Sequence, residues 1–305
     1  MTHIRKVYFV PETVRGTVAD IVSWFEKTDS DFQDRYELGE DNGANGSIVE
    51  TDVFLKQSFA DKLEALKMNS ISSFLLALLE KITTANADDT FSHLFNFSES
   101  NTHQSLVVAK ETPIEKMLYK LSMIKSFEIS AEIEIAKVTI NLESKPVEDT
   151  ITKNFELDHN FLSRFIFKLA STYSALIASA MDLRSFKLTF TPNTEKRGSL
   201  DTSPVEIINK TYNITTVEFD YKDNIVKDIA LSTQKKALQF AIVDDEKIIT
   251  TRNPKIDFKF YRVAFTSYEV SEPNDDVVTQ SLNFKALYDF NNATLTCDLV
   301  NTLDF

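Results

Sequence analysis

The feature that most constrains this chain is a two-residue rhythm of apolar and polar side chains. From Phe127 to Ile135 every odd position is apolar and most even ones are acidic. Successive side chains of a pleated strand leave opposite faces, so a period of two marks a strand buried on one face. The apolar parity then changes, with Val138, Ile140 and Leu142 facing inward, and a turn or bulge near Ala136 and Lys137 explains the switch. The same rhythm runs through Phe186 to Phe190, Val217 to Tyr221, Leu282 to Tyr288 and Leu295 to Leu299. Ile256, Phe258 and Phe260 give way to Tyr261, Val263 and Phe265, which predicts a further bulge. Strands with polar outer faces predict a mainly β fold with flanking α, an antiparallel β-sandwich or open barrel.

The helical period is rarer. Ile71, Phe74, Leu75, Leu78, Leu79 and Ile82 recur at helical spacing, with Asn69 or Ser70 available as N-cap. A shorter helix is expected before it, capped by Ser58, with Phe59, Leu63 and Leu66 on one face. The stretch from Phe161 to Met181 fits a helix through Phe161, Phe165 and Leu169, or a strand from Phe165 to Leu169; helix is preferred for its first half. Glu26 to Gly46 is acidic, holds three of the five glycines and has no periodicity, so it reads as a long loop. Ser271 to Asp276 reads as a turn between two strong strands.

At 305 residues the chain suffices for one large β domain or two of about 150. Similar strand content in the two halves hints at a duplication near residues 150–160, giving subdomains of about 1–155 and 156–305, but no residue-by-residue match is evident. The formal charge of −13 argues against tight binding of double-stranded DNA, which needs clustered Lys and Arg. The same charge either keeps the chain soluble or repels DNA from a conduit that must not grip it. The single Cys297 excludes an internal disulfide and alternates with Leu295 and Leu299 as a buried small hydrophobe would. No secretory signal is visible and no apolar run reaches the roughly 18 residues of a membrane span, so synthesis and folding in a cytoplasm, without membrane insertion, are expected.

The search for chemistry is negative. Five glycines leave little from which to build a phosphate-cradling loop, and no nucleophile elbow, zinc-binding or dinucleotide motif is present. His93 and His103 would face each other across a hairpin joining Thr90–Asn96 to Ser105–Lys110, without further ligands at recognisable spacing. His3 and His159 stand alone. The acidic clusters Asp29/Asp31/Asp34, Glu40/Asp41, Asp88/Asp89, Asp244/Asp245/Glu246 and Asp275/Asp276 sit at predicted turns, where carboxylates are usually solvated. No catalytic residue, cofactor or metal is expected, and the chain is not read as an enzyme.

Three stretches carry a resemblance: Tyr36 to Leu55 with the capped helix after it, Phe127 to Lys145, and Ile256 to Asn301. In their order and patterning the chain resembles the tail tube (major tail) proteins of long-tailed bacteriophages. The resemblance implies a β-sandwich with a flanking helix, related to contractile-tail and type VI secretion tubes. Subunits of such proteins close into rings whose inner sheets join into one continuous barrel, and the rings stack. About 24 strands at ~4.8 Å spacing and ~40° tilt give a barrel roughly 45–50 Å across, leaving about 35–40 Å for a duplex of about 20 Å. A hexamer with four lumen strands per subunit, or a trimer of duplicated subunits with eight, meets that count.

The implied function is a virion tail channel for genome delivery, assembled in the host cytoplasm. Its partners would be copies of itself, a tape-measure protein, a tail terminator and baseplate or initiator proteins, with double-stranded DNA only passing through. Glu50, Asp52, Glu128, Glu132 and Glu134 are then candidates for the lumen, with ordinary outer-surface solvation as the alternative. Asp29, Asp31, Asp34, Glu40 and Asp41 are candidates for an inter-ring loop. Competing readings are a terminator, baseplate ring protein or contractile-type tube, and a soluble ligand-binding β-barrel.

Overall fold

The computed structural model describes residues 6–12, 14, 25–26, 33–42, 48–60, 71–87, 90–96, 104–111, 116–132, 135–144, 163–178, 180–196, 205–221, 224–232, 234–244, 252–272, 277–289 and 294–302. The fold is mainly β, a large open antiparallel sheet with two short helices. Its first half runs β1 (Lys6–Pro11), β2 (Phe25–Glu26), β3 (Gln33–Asn42), β4 (Ile48–Ala60), helix α1 (Ile71–Leu78), β5 (Glu80–Ala87), β6 (Thr90–Asn96), β7 (Leu106–Glu111), β8 (Lys116–Glu132) and β9 (Ile135–Ser144). The second runs β10 (Ser163–Ala170), a 3-10 helix (Tyr173–Ala178), β11 (Ala180–Met181), β12 (Ser185–Lys196), β13 (Val205–Asp220), α2 (Ile225–Leu231), β14 (Lys236–Asp244), β15 (Lys255–Ser271), β16 (Thr279–Ala286) and β17 (Leu295–Asn301).

The pairings of the first half recur in the second. β1 pairs with β2 and β7, β7 with β8, β8 with β9, β9 with β4 and β4 with β3. In the same sense β10 pairs with β11 and β14, β14 with β15, β15 with β16, β16 with β13 and β13 with β12. Among the described residues the β5–β6 hairpin has no second-half counterpart; β6 pairs with β17, which pairs with β15.

Even the irregularities repeat. Where β7 meets β8, Val107 faces both Lys120 and Leu121; where β14 meets β15, Ala237 faces both Tyr261 and Arg262. Lys125 is bulged out of the β8–β9 register, as Thr266 is out of the β15–β16 register. The β3–β4 ladder shifts at Glu37/Leu38 and the β12–β13 ladder at Asn193/Thr194. A bulge bends its strand and raises local twist. Those in β8 and β15 come where each strand changes partner, from β7 to β9 and from β14 to β16. At the first, Leu121 takes φ 53°, held by its N–H donating to buried Glu12 at 2.8 Å.

Phenylalanines dominate the core. Phe186 of β12 meets Phe240 of β14 with ring centres 3.9 Å apart, Phe190 meets Phe258 at 5.7 Å, and Phe167 lies between Phe219 and Phe284. Helix α1 plugs the first half, with Phe74 against Phe9 and Phe127.

The alternating segments form strands, and the bulge expected after Phe260 is present. Five expectations are corrected. Residues 33–42, read as loop, form β3, whose polar sequence lacks alternation and is ordered by its ladder with β4. Ser58 and Phe59 cap no helix; they end β4, where Ser58–Ala60 pair with β9, and Leu63 and Leu66 lie outside the described residues with Asn69 and Ser70. Helix α1 stops at Leu78, and Ile82 is exposed on β5, where Ile82-Thr83-Thr84 is a β-branched run that favours extended backbone. Ser163–Ala170 is strand, because eight consecutive pairs with β14 outweigh the helical spacing; Phe161 lies outside the described residues. The parity switch after Ile129 is a hairpin in which Glu132 faces Ile135, ahead of Ala136. The division near residue 155 also falls outside the described residues, between β9 and β10.

Candidate assembly surface

Two strands do double duty. Residues 116–122 of β8 lie against β7, while 123–132 pair with β9, and 127–132 also with β12. Residues 255–260 of β15 lie between β14 and β17, while 263–271 pair with β16. The far halves of these strands join a continuous run in the order β3-β4-β9-β8-β12-β13-β16-β15. This run is one four-strand unit followed by its repeat, joined at β8–β12. It does not close: among the described residues, β3 pairs only with β4, and residues 264–271 of β15 only with β16.

One face of the run packs inward through Phe127, Ile129, Val138, Ile140, Leu188, Phe190, Leu282 and Phe284, all buried. Among the described residues the opposite face carries hydroxyl, amide and charged side chains. Asn141 donates to Ser126 at 2.5 Å, and Asn283 donates to Ser267 at the same distance, one bond in each repeat. Lys187 reaches Glu128 across the β8–β12 junction at 2.7 Å, and Ser185 donates to Glu218 at 2.9 Å.

The candidate residues separate accordingly. Glu128 lies on this polar face, but as the partner of Lys187 rather than as an isolated negative charge. Glu132 ends β8 opposite Ser185, and Glu50 and Asp52 are on β4 opposite Asp41 and Gly39. Asp34, Glu40 and Asp41 are on the terminal strand β3 and not in a loop. Glu134, Asp29 and Asp31 lie outside the described residues.

The two ends of the repeat differ in burial. Ile129 of β8 is 0% exposed under the cover of β12 and the core, while Val270, at the corresponding place on β15, is 41% exposed. Phe127 is fully buried; its counterpart Tyr268 is half-buried, donating to Gln280 at 3.4 Å. The repeat is also written in the sequence, where a comparison by strand content misses it. Ser126-Phe-Glu-Ile-Ser130 matches Ser267-Tyr-Glu-Val-Ser271, and Ile140-Asn-Leu142 matches Leu282-Asn-Phe284. Aligning segments on these serines and asparagines would have found it.

Elsewhere the titratable groups are knitted into the sheets. His93 is buried and bonds Thr84 of β5 at 3.0 Å; β6 pairs with β5 and β17 rather than β7, so no hairpin sets it opposite His103, itself outside the described residues. On β15, Lys259 lies 3.1 Å from Asp298 and 3.4 Å from Asp257. Burial pulls its ammonium down, but the two carboxylates more than reverse this and hold it above the ordinary lysine value. Cys297 is buried and free, and burial pushes its thiol well up. An apolar void among Phe167, Phe186, Leu188, Val217, Leu238, Phe240 and Phe260 measures 10 Å³, about the room of one water and none for a ligand. Among the described residues no group of three His, Cys, Asp or Glu side chains is placed to hold a metal ion, and no helix is long and apolar enough to cross a membrane. No protein-family model matches the chain, and no curated protein matches it.

Proposed function

We propose that the chain is a structural subunit that assembles with copies of itself into stacked rings around a channel, as a phage tail tube does. The observation that carries this reading is the eight-strand run: among the described residues one face is buried, the other carries hydroxyl, amide and charged side chains, and each end strand pairs on one side only. A long open edge is a liability in a protein that works alone, because its free N–H and C=O groups template pairing with another chain. Joining runs edge to edge removes both edges and turns the polar faces into one continuous lining.

In this reading the run lines the lumen and double-stranded DNA passes over it. At the β8–β12 junction Lys187 is held by Glu128, so that lysine is not a free cation for DNA to grip. Glu50, Asp52, Glu132 and Glu134 remain proposed contributors to that lining. Asp34, Glu40 and Asp41, on an edge strand, fit the contact within a ring better than the contact between rings; Asp29 and Asp31 remain proposed for the latter. Tape-measure, terminator and initiator proteins are the partners such a tube requires, and the virion tail is its place. The reading favours no enzymatic role.

Size-exclusion light scattering with negative-stain microscopy tests this directly. Stacked rings with an open channel, formed by the protein alone or on a tail-tip initiator complex, are expected. A protein that stays monomeric at every concentration and is inert to the initiator would overturn the reading.

A further inference from the structure

The internal repeat specifies how copies meet. We infer that the β8–β12 junction within the chain is the pattern for the junction between chains, with residues 264–271 of β15 pairing antiparallel with β3 of a second copy in the β8–β12 register. This rests on the tube reading above and names the strands, register and copy number it requires.

Paired positions fix the alignment of the repeats: Gln33 faces Phe59 of β4, which faces Glu143 of β9, and Thr189 faces Asn213 of β13, which faces Lys285 of β16. Gln33 stands as far before the shift at Glu37/Leu38 as Thr189 does before that at Asn193/Thr194. Both segments are extended and both begin a hairpin that pairs onward, β4 to β9 and β13 to β16. Glu269 follows the bulged Thr266 as Glu128 follows Lys125, inside the matching Ser-Tyr-Glu-Val-Ser and Ser-Phe-Glu-Ile-Ser segments. Within the chain Thr189 faces Glu128 and Phe190 faces Phe127. Between chains, therefore, Gln33 of one copy faces Glu269 of the next, and Asp34 faces Tyr268. The half-exposed Val270 sits where Ile129 is covered, so a copy of the β12-equivalent strand is the occupant that its environment lacks.

Copy number follows from the strand count. Two copies bring about 16 strands and a backbone diameter of roughly 32 Å, too tight for a hydrated duplex once side chains are subtracted; three bring about 24 strands and roughly 48 Å. Three is the smallest ring that clears the cargo. Its six repeats make a threefold ring that imitates a sixfold one.

The test is a disulfide across the junction in the otherwise wild-type chain. Directly opposed residues on neighbouring antiparallel strands have Cβ atoms about 4.5–5.5 Å apart, close to disulfide reach. Buried Cys297 stays out of the exchange. Under mild oxidation, the double variant Gln33→Cys/Glu269→Cys is expected to give covalent oligomers ending at three copies. Neither single variant should do so, nor should Glu37→Cys/Glu269→Cys, four residues out of register. If the first pair does not fold, Asp34→Cys/Tyr268→Cys probes the adjacent pair. Tubes in the microscope without a covalent ladder, or a ladder only from the displaced pair, would overturn the register while leaving the tube reading intact. A ladder ending at six copies would overturn the threefold ring. Monomers without tubes or cross-links, initiator included, would remove the tube reading and this inference together.

Discussion

Strands β8 and β15 begin with a lysine, span the same length, bulge at corresponding places and change partner there, yet they end in different surroundings. β8 enters the middle of a sheet, with β9 on one side and β12 on the other, and Ile129 is sealed. Among the described residues β15 finishes with only β16 beside it, and Val270 lies open. The helices diverge the same way. All of α1 except Leu76 is buried, packed against β1, β5 and β8, whereas of α2 only Val226 is buried. One local pattern therefore serves as core in the first repeat and as boundary in the second. Neighbouring elements, more than the pattern, decide which.

The sharpest way to break the comparison is to place a charge at both equivalent positions. Ile129→Asp puts a carboxylate into a dry core and should cost about 4 kcal/mol or more, lowering Tm by roughly 10 °C or preventing folding. Val270→Asp should leave monomer stability within about 1 kcal/mol but abolish assembly, since inward-pointing charges on an edge strand block pairing. Thermal melts and light scattering read the two effects separately. Equal destabilisation by both would show that Val270 already belongs to a finished core.

The aromatic pair should follow with a smaller contrast. Phe127→Ala removes a fully buried ring and should cost about 3–5 kcal/mol, against about 1–2 kcal/mol for Tyr268→Ala, measured by urea unfolding of unassembled protein. The hydrogen bonds sharpen the comparison by sameness. Asn141→Ala and Asn283→Ala each delete the same contact and should cost about 1 kcal/mol apiece, adding in the double variant because several strands separate them. A marked inequality would mean that the repeats differ in more than their neighbours. Smallest of all, Lys187→Gln should cost under about 1 kcal/mol, and less as salt rises, because the Lys187–Glu128 pair is partly solvated.

How much of this was legible beforehand depended on whether a residue's own pattern determined its place. Phe186 to Phe190 and Leu295 to Leu299 alternate and are buried on one side, so their strands were readable. Gln33 to Asn42 carries almost no alternation; its conformation comes from β4, a partner that local inspection does not supply. Ser163 to Ala170 carries both periods, and only the ladder to β14 decides between them. Helix α2 went unread because its apolar stripe, Val226, Ile229 and Ala230, spans little more than one turn and is too short to show a period. Cys297 was placed by simple alternation, and it is buried. The candidate acidic positions were harder. Their strands could be found, but not that Glu128 meets Lys187 from a strand nearly sixty residues away. The repeat of strand pairings is matched in the sequence by a handful of serines, asparagines and one glutamate per half, too sparse to stand out until the pairings aligned them.

End-on cryo-electron microscopy of the assembled protein tests the central claim most directly. The account predicts closed rings of three copies, nearly sixfold at low resolution and threefold at high resolution, around a channel of about 35–40 Å lined by the joined eight-strand runs. Rings of six copies, rings in which another part of the chain lines the channel, or no ring even on an initiator complex would contradict it.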